Sequence, residues 1–285
     1  MATAQEARRE KAGDPGRARP PGEKTEGRLL GWYTKLVIAY LFLPVVVMIA
    51  FGFNDTAGRF NYSWQGFTLE YFQPERLFEF QELNVALRNS IAVAALSTFI
   101  ATVLGTLIAL ALTRHRFAGR SGLNLFLFLP MATPEVVLGV ALLALFVSAN
   151  MPRGFVTIVI AHIMFSISYV VVTVKARTSG FDRHLEDAAQ DLGASPWTSF
   201  WTVTFPLILP GIIAAGLLAF VLSIDDYVIT SFNAGSTTTL PLWIYGASRI
   251  GIPQQVNVLG TLLFVIGVLY VIFAMTRLRR AGRRH

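Results

Sequence analysis

Six stretches of this chain stay apolar for 18 residues or more: Leu36 to Phe53, Asn89 to Leu112, Leu123 to Ser148, Phe155 to Val174, Pro206 to Tyr227 and Val256 to Met275. At about 1.5 Å rise per residue, ~20 helical residues cross the ~30 Å hydrocarbon core of a bilayer with every backbone N–H and C=O paired inside the segment. Six such runs predict six spanning helices, and an all-α integral membrane protein. Composition points the same way: with 54% hydrophobic and 14% charged residues, a chain of 285 residues has too little polar surface to cover a soluble globule. The first run is longer than a signal-peptide core and no small-x-small cleavage pattern follows it, so it is read as a retained span. Cysteine is absent, which removes disulfides, thiolate nucleophiles and Cys-based metal sites together.

The charges set an orientation. Of the 24 Lys and Arg, 19 fall in the N-terminal segment through Lys35, in Arg114 to Arg120, in Lys175 to Arg183 and from Arg277 onward. The opposite loops hold only Arg59, Arg76, Arg88, Arg153 and Arg249, so the positive-inside rule places both termini and the 175–206 loop in the cytoplasm. The same distribution accounts for the net charge of +7 beside the apolar runs, and nucleic acid is not expected as a partner. Residues 1–28 carry almost no large apolar side chain and read as a disordered cytoplasmic tail. Residues 29–85 then hold the first span and an external loop. Asn54 to Leu83 mixes Phe60, Tyr62, Trp64, Phe67, Tyr71 and Phe72 with acidic residues, a composition suited to a loop resting on the headgroup layer, part of it as an amphipathic surface helix. Residues 86–276 form the remaining spans, and 277–285 form a basic cytoplasmic tail. Small residues recur every fourth position at Ala101, Gly105 and Ala109 and at Gly211, Ala215 and Ala219, stripes that let helices pack closely. Pro130 and Pro134 interrupt the third run, and Pro206 and Pro210 open the fifth; each removes a backbone donor and is expected to bend its helix.

A polar island separates the fourth and fifth runs. Asp182 is read as the N-cap of a helix that ends at Gly193, where a missing Cβ permits a left-handed turn, and Ser195 with Pro196 opens a second helix at once. Ala189 and Gly193 lie on one face, open to a partner backbone, while Glu186, Asp187, Gln190 and Asp191 offer polar edges. Asp187-Ala188-Ala189, then Gly193, then Val203-Thr204-Phe205-Pro206 keeps every spacing of the Glu-Ala-Ala…Gly…Ile-x-Leu-Pro signature, with Asp for Glu, Val for Ile and Phe for Leu. In this the chain resembles the membrane subunits of binding-protein-dependent ABC importers, from about Ala86 to the end of the last apolar run. Trp64-Gln65-Gly66-Phe67-Thr68-Leu69 and Ser223-Ile224-Asp225-Asp226-Tyr227 are similar to the spermidine/putrescine branch of that family.

The resemblance implies a type I (MetI-like) permease core in a bacterial inner membrane, crossed by a multi-pass chain, with a cytoplasmic coupling helix in the 182–206 loop. It further implies partners: two copies of an ATP-binding subunit docked on Glu186, Asp187, Ala188, Ala189 and Gly193, a second and different permease subunit, and an extracytoplasmic solute-binding protein. The other reading of the island is a connector that touches only lipid headgroups.

No G-x-x-x-x-G-K-[ST] loop is present to cradle ATP, and no H-E-x-x-H or G-x-S-x-G pattern supports a hydrolase; no cofactor or metal and no catalytic residue is expected. His162, alone inside an apolar run, reads as a hydrogen-bonder between helices. Three acids stand apart, because an ionised carboxylate at midspan costs roughly 2.5–3.5 kcal/mol even on lenient scales. Glu135 falls ~18 Å along the third run, near mid-bilayer. Asp225 and Asp226 fall near the outer end of the fifth, with Tyr227 beside them. Glu135, Asp225, Asp226 and Tyr227 are therefore the candidate cation path, the Asp pair meeting a polyamine at an outer mouth and Glu135 meeting it deeper. The bland alternatives are packing for Glu135 and simple exposure for the Asp pair. The rival function is an ion-coupled secondary transporter or channel without an ATPase, with Glu135 as the ion site.

Overall fold

The computed structural model describes residues 21–56, 61, 63–180 and 184–281. Asp182 as a helix cap, and the first twenty residues of the expected tail, lie outside these. The described chain is helical, without a strand. In order come α1 (Pro21–Gly52), a 3-10 turn (Glu70–Phe72), α2 (Pro74–Leu77), α3 (Gln81–Arg114), α4 (Arg120–Ala132), α5 (Glu135–Ser148), α6 (Phe155–Ser179), α7 (His184–Asp191), α8 (Pro196–Ser199), a π turn (Phe200–Thr204), α9 (Phe205–Ile224), α10 (Val228–Asn233), α11 (Leu240–Ile250) and α12 (Gln254–Ala281). Residues 21–28, expected in the tail, are the start of α1.

Two compact units emerge. One holds α1, the 61–71 loop and α12. Gly52 and Gly260 let its two long helices close on each other: a Cβ at Gly260 would sit 2.6 Å from Met48 Sδ, and one at Gly52 3.0 Å from Thr261 Oγ1. The loop after α1 folds back on that helix, and the 3-10 turn Glu70–Phe72 and α2 follow it before α3. Buried Asn54 donates from Nδ2 to Asn61 Oδ1 (2.6 Å) and Ser63 O (2.8 Å) and accepts at Oδ1 from Gln65 N–H (2.7 Å). Gln254, at the head of α12, donates to Asn54 O at 3.1 Å.

The other unit, 72–253, is built on α6. Both small-residue stripes are buried, and each faces that helix. A Cβ on Gly105 would lie 2.6 Å from Val170 Cγ1, and one on Gly211 2.8 Å from Arg177 Cβ, so these two glycines set how closely α3 and α9 approach α6. Ala109, Leu112, Leu127, Val170, Val171, Val174, Ala215 and Ala219 form the resulting core.

The third apolar run departs most from its expectation of a single span. It is two helices, α4 and α5, at 109°. The break falls at Thr133–Pro134, with Thr133 extended at φ −83°, ψ 133°. Proline at 134 pushes the residue before it out of the helical region, which ends α4 there; Pro130 sits inside α4 and does not end it. Glu135, expected midway along a span, is instead the first residue of α5. Among the described residues four helices are long and apolar enough to cross a membrane, or five if the bent pair is one span; the sixth run forms part of α12, whose apolar stretch, Gln254–Leu269, is shorter.

Candidate functional site

The elbow folds as its turn residues dictate. Gly193 takes φ +91°, Gly193 N–H donates to Gln190 O (2.9 Å), and Ala194 N–H donates to Ala189 O (3.0 Å). This is the paired bond pattern of a left-handed helix C-terminus, and it satisfies carbonyls that α7 would leave open. Ser195 then caps α8: its Oγ accepts from Thr198 N–H at 3.1 Å, and Pro196 occupies the first helical position, where no N–H is needed.

The side chains of α7 divide differently from the sequence reading. Glu186 does not offer an outward edge; it turns inward, accepts from Arg114 at the end of α3 and from Thr204 at the head of α9, and is only 17% exposed. Arg114 also donates to Thr204 Oγ1 at 3.2 Å, so three residues from three segments close one polar triangle. Asp187, at 69%, does face out, with Ala188 exposed and Ala189 half-buried. The outward surface is also apolar: Leu192 is 91% exposed, and Leu185, Trp197 and Trp201 stand exposed near it. Trp197 and Trp201 meet edge to face at 5.6 Å, with Phe205 4.8 Å from Trp201. Trp197, Trp201 and Phe205 belong to the apolar stretch Pro196–Ile224, long enough to cross a bilayer, whereas Leu185 and Leu192 stand exposed on the polar loop before it.

A second site forms where α9 breaks into α10. The sequence reading paired Asp225 and Asp226 at one mouth, and their settings correct it. Asp225 is exposed, whereas the Asp226 side chain is 7% exposed and lies 3.2 Å from His162 Nε2, itself 3% exposed. Asp226 accepts at Oδ2 from Thr230 N–H (2.8 Å) and Thr230 Oγ1–H (2.7 Å), and at Oδ1 from Ile229 N–H (3.3 Å), which caps the start of α10. With its hydroxyl proton spent on Asp226, Thr230 presents a lone pair to His162 Nε2 at 2.9 Å; both neighbours of Nε2 are acceptors, so that nitrogen carries a proton. His162 Nδ1 shares a bond of 2.7 Å with Ser223 Oγ, which is 3.1 Å from Ser97 Oγ. One buried polar chain thus joins α3, α6, α9 and α10. It is the interhelical hydrogen-bonding expected of His162, and the apolar runs carried its signal in Ser97, His162, Ser223 and the i, i+4 pair Asp226–Thr230; spacing alone did not reveal that they meet.

Glu135 is exposed at the head of α5, one turn before Gly139. Tyr227 packs on Tyr245 at 4.6 Å between ring centres, and Arg249 lies 4.8 Å over the Tyr245 ring. The expected cation–π partner of an amine is therefore already part of an aromatic pair with a protein cation on it.

Residues 101–282 match the family described as binding-protein-dependent transport system inner membrane component. The chain is 39% identical over 248 residues to the spermidine/putrescine transport system permease protein PotC of Escherichia coli (strain K12), covering 86% of this chain and 92% of that one. It is 35% identical over 236 residues to the putrescine transport system permease protein PotI of the same strain, covering 80% and 83%. A bacterial ABC transporter involved in the import of the acidic polysaccharide alginate has a chain that superposes with a TM-score of 0.63 at 15% identity, covering 92% and 98%. With the family match running over residues 101–282 and these relatives covering most of its length, the chain belongs to the family of inner-membrane components of binding-protein-dependent transport systems.

Proposed function

We propose that this chain is a permease subunit of an ATP-driven importer of polyamines, forming half of the translocation path beside a second, different permease. Six passes leave both termini and the elbow in the cytoplasm, with the permease core over 86–276. Two copies of a separate ATPase subunit hydrolyse ATP, and an extracytoplasmic solute-binding protein delivers the amine. The observation that carries this reading is the elbow, where a glycine-closed turn leaves Leu192 almost fully exposed in the same loop as the exposed Asp187 and Ala188. An ion-coupled transporter without an ATPase gives that surface nothing to dock, so the rival reading is not favoured.

The cargo follows from the relatives and from the acids. The fold by itself does not choose the sign of the cargo, since an alginate importer shares it. Asp225 and Glu135 are exposed carboxylates at two helix breaks, able to replace the hydration that a multiply charged amine sheds. Glu135 and Asp225 contact the amine in this reading, Tyr227 lines the path beside Asp225 from within its pair with Tyr245, and Asp226 supports them from behind. In coupling, Asp187, Ala188, Ala189 and Gly193 meet the ATPase, while Glu186 passes the movement to α3 and α9 through Arg114 and Thr204.

The docking half of the proposal has a direct test, because the chain holds no native cysteine. Leu192→Cys is expected to cross-link to the ATPase subunit in the assembled complex, and Ser248→Cys to give none. A working complex in which Leu192→Cys stays unlinked while Ser248→Cys links would overturn the orientation and the docking surface together.

A further inference from the structure

The buried chain through His162 and Asp226 adjoins Asp225 in sequence and, through α10, packs against α5, the helix that Glu135 opens. Asp226 is the immediate neighbour of Asp225, and its side chain caps α10 through Ile229 and Thr230. The α10 helix in turn carries α5. A Cβ on Gly139 would lie 2.7 Å from Phe232 Cδ2 and 3.4 Å from Ile229 Cα, so the two helices touch backbone to side chain there. Asn233 Nδ2 donates to Gly139 O at 3.3 Å, and Leu142 and Phe146 close over Ile229. Thr157 of α6 holds the far end of α10 by donating to Asn233 O at 2.8 Å. Glu135 sits one turn before Gly139 on the same helix. Glu135 and Asp225 are thus linked through α10, whose start is held by the bonds that Asp226 makes to His162 and Thr230 and whose far end is held by Thr157.

We infer that His162 and Asp226 are positioning residues that set the separation between Glu135 and Asp225, and through it the choice between a diamine and a longer triamine. Neither touches the amine. The inference rests on the transport reading above. Polyamines differ chiefly in how far apart their ammonium groups stand, so two carboxylates held at a fixed spacing discriminate among them, and two carboxylates on a loosened support do not. A buried network does this better than apolar packing, because each bond has one satisfied geometry and a broken one leaves a buried group unpaired. Among the described residues, His162 bonds to Ser223 from α9 and Thr230 from α10 and lies against Asp226, Asp226 accepts from Ile229 and Thr230, and Ser97 of α3 joins through Ser223; Asp225 is the nearest other charge in sequence.

The test is uptake of putrescine and of spermidine by the complete complex in proteoliposomes carrying Asp226→Asn, His162→Gln, or both. The expected result is a change on the order of tenfold in the ratio of the two KM values for each single variant, the worth of one hydrogen bond to a charged group. The double variant should shift the ratio no further, because both act through one network. An unchanged ratio with equal loss for both amines overturns the inference and leaves a merely structural role. A raised KM with Asp226→Asn beside normal kinetics with His162→Gln overturns it too, and makes Asp226 a direct ligand. Should Asp226→Asn fail to assemble, Thr230→Val removes the hydroxyl shared by the pair, and an unchanged ratio there is equally fatal. If the unsubstituted complex takes up neither amine, the transport reading itself fails.

Discussion

Gly193 is the position where a single substitution reads out the elbow most cleanly. Its φ of +91° belongs to the left-handed region, and a Cβ built there meets nothing within 4 Å. The cost of any side chain is therefore backbone strain alone in the isolated chain: about 1–2 kcal/mol for alanine, less for asparagine, and more for valine, whose branched Cβ crowds the following carbonyl. A penalty of one to two kcal/mol lowers the population of the intact turn relative to its alternatives by roughly 5–30-fold. Because the turn holds Leu192 and the exposed face of α7 in place, that loss should appear as uncoupling, with amine uptake falling further than basal ATPase activity. The assay is ATPase stimulation and uptake measured on the same proteoliposomes for Gly193→Asn, Gly193→Ala and Gly193→Val, expected to worsen in that order. Full stimulation and uptake with Gly193→Val refutes the reasoning.

Glu186→Gln and Arg114→Met should each weaken coupling, with an interaction energy of about 1–3 kcal/mol in a double-mutant cycle on complex stability; a purely additive cycle would show that the bond carries nothing. Gly105→Ala forces a Cβ to within 2.6 Å of Val170 and should lower stability by about 1–3 kcal/mol, whereas Gly122→Ala meets nothing within 4 Å and should be neutral, as read from thermal melting of the purified complex. Asp225→Asn should raise the KM for polyamine uptake more than it lowers the maximal rate, and Glu135→Gln should reduce uptake at unchanged membrane abundance; normal uptake in both leaves these acids outside the path.

Local features were legible in the sequence where one residue type dictates one geometry. Gly193 at positive φ, Ser195 as a cap and Pro196 at the first helical position all follow from backbone sterics and unpaired N–H groups, and the structure holds each. The small stripes were legible because only close approach rewards them, although that they share α6 as partner was not. Pro134 announced a break but not one of 109°, since proline removes conformations without choosing among those that remain. The acids were the least legible. Asp225 and Asp226 are adjacent, yet in the break after α9 ends at Ile224 one faces outward and the other turns to His162, 64 residues away in sequence. Glu186 likewise turned inward because Arg114, 72 residues upstream, waits there. Such pairings are tertiary and leave no local periodicity.

The central claim is that this chain moves polyamines only as part of an ATP-driven complex. Its most direct test is accumulation of labelled spermidine in proteoliposomes that hold this chain, its partner permease, the ATPase subunit and a loaded solute-binding protein. The account predicts uptake that requires ATP and ceases when the ATPase subunit is left out. Uptake by the membrane subunits alone, driven by an ion gradient and indifferent to ATP, would contradict it.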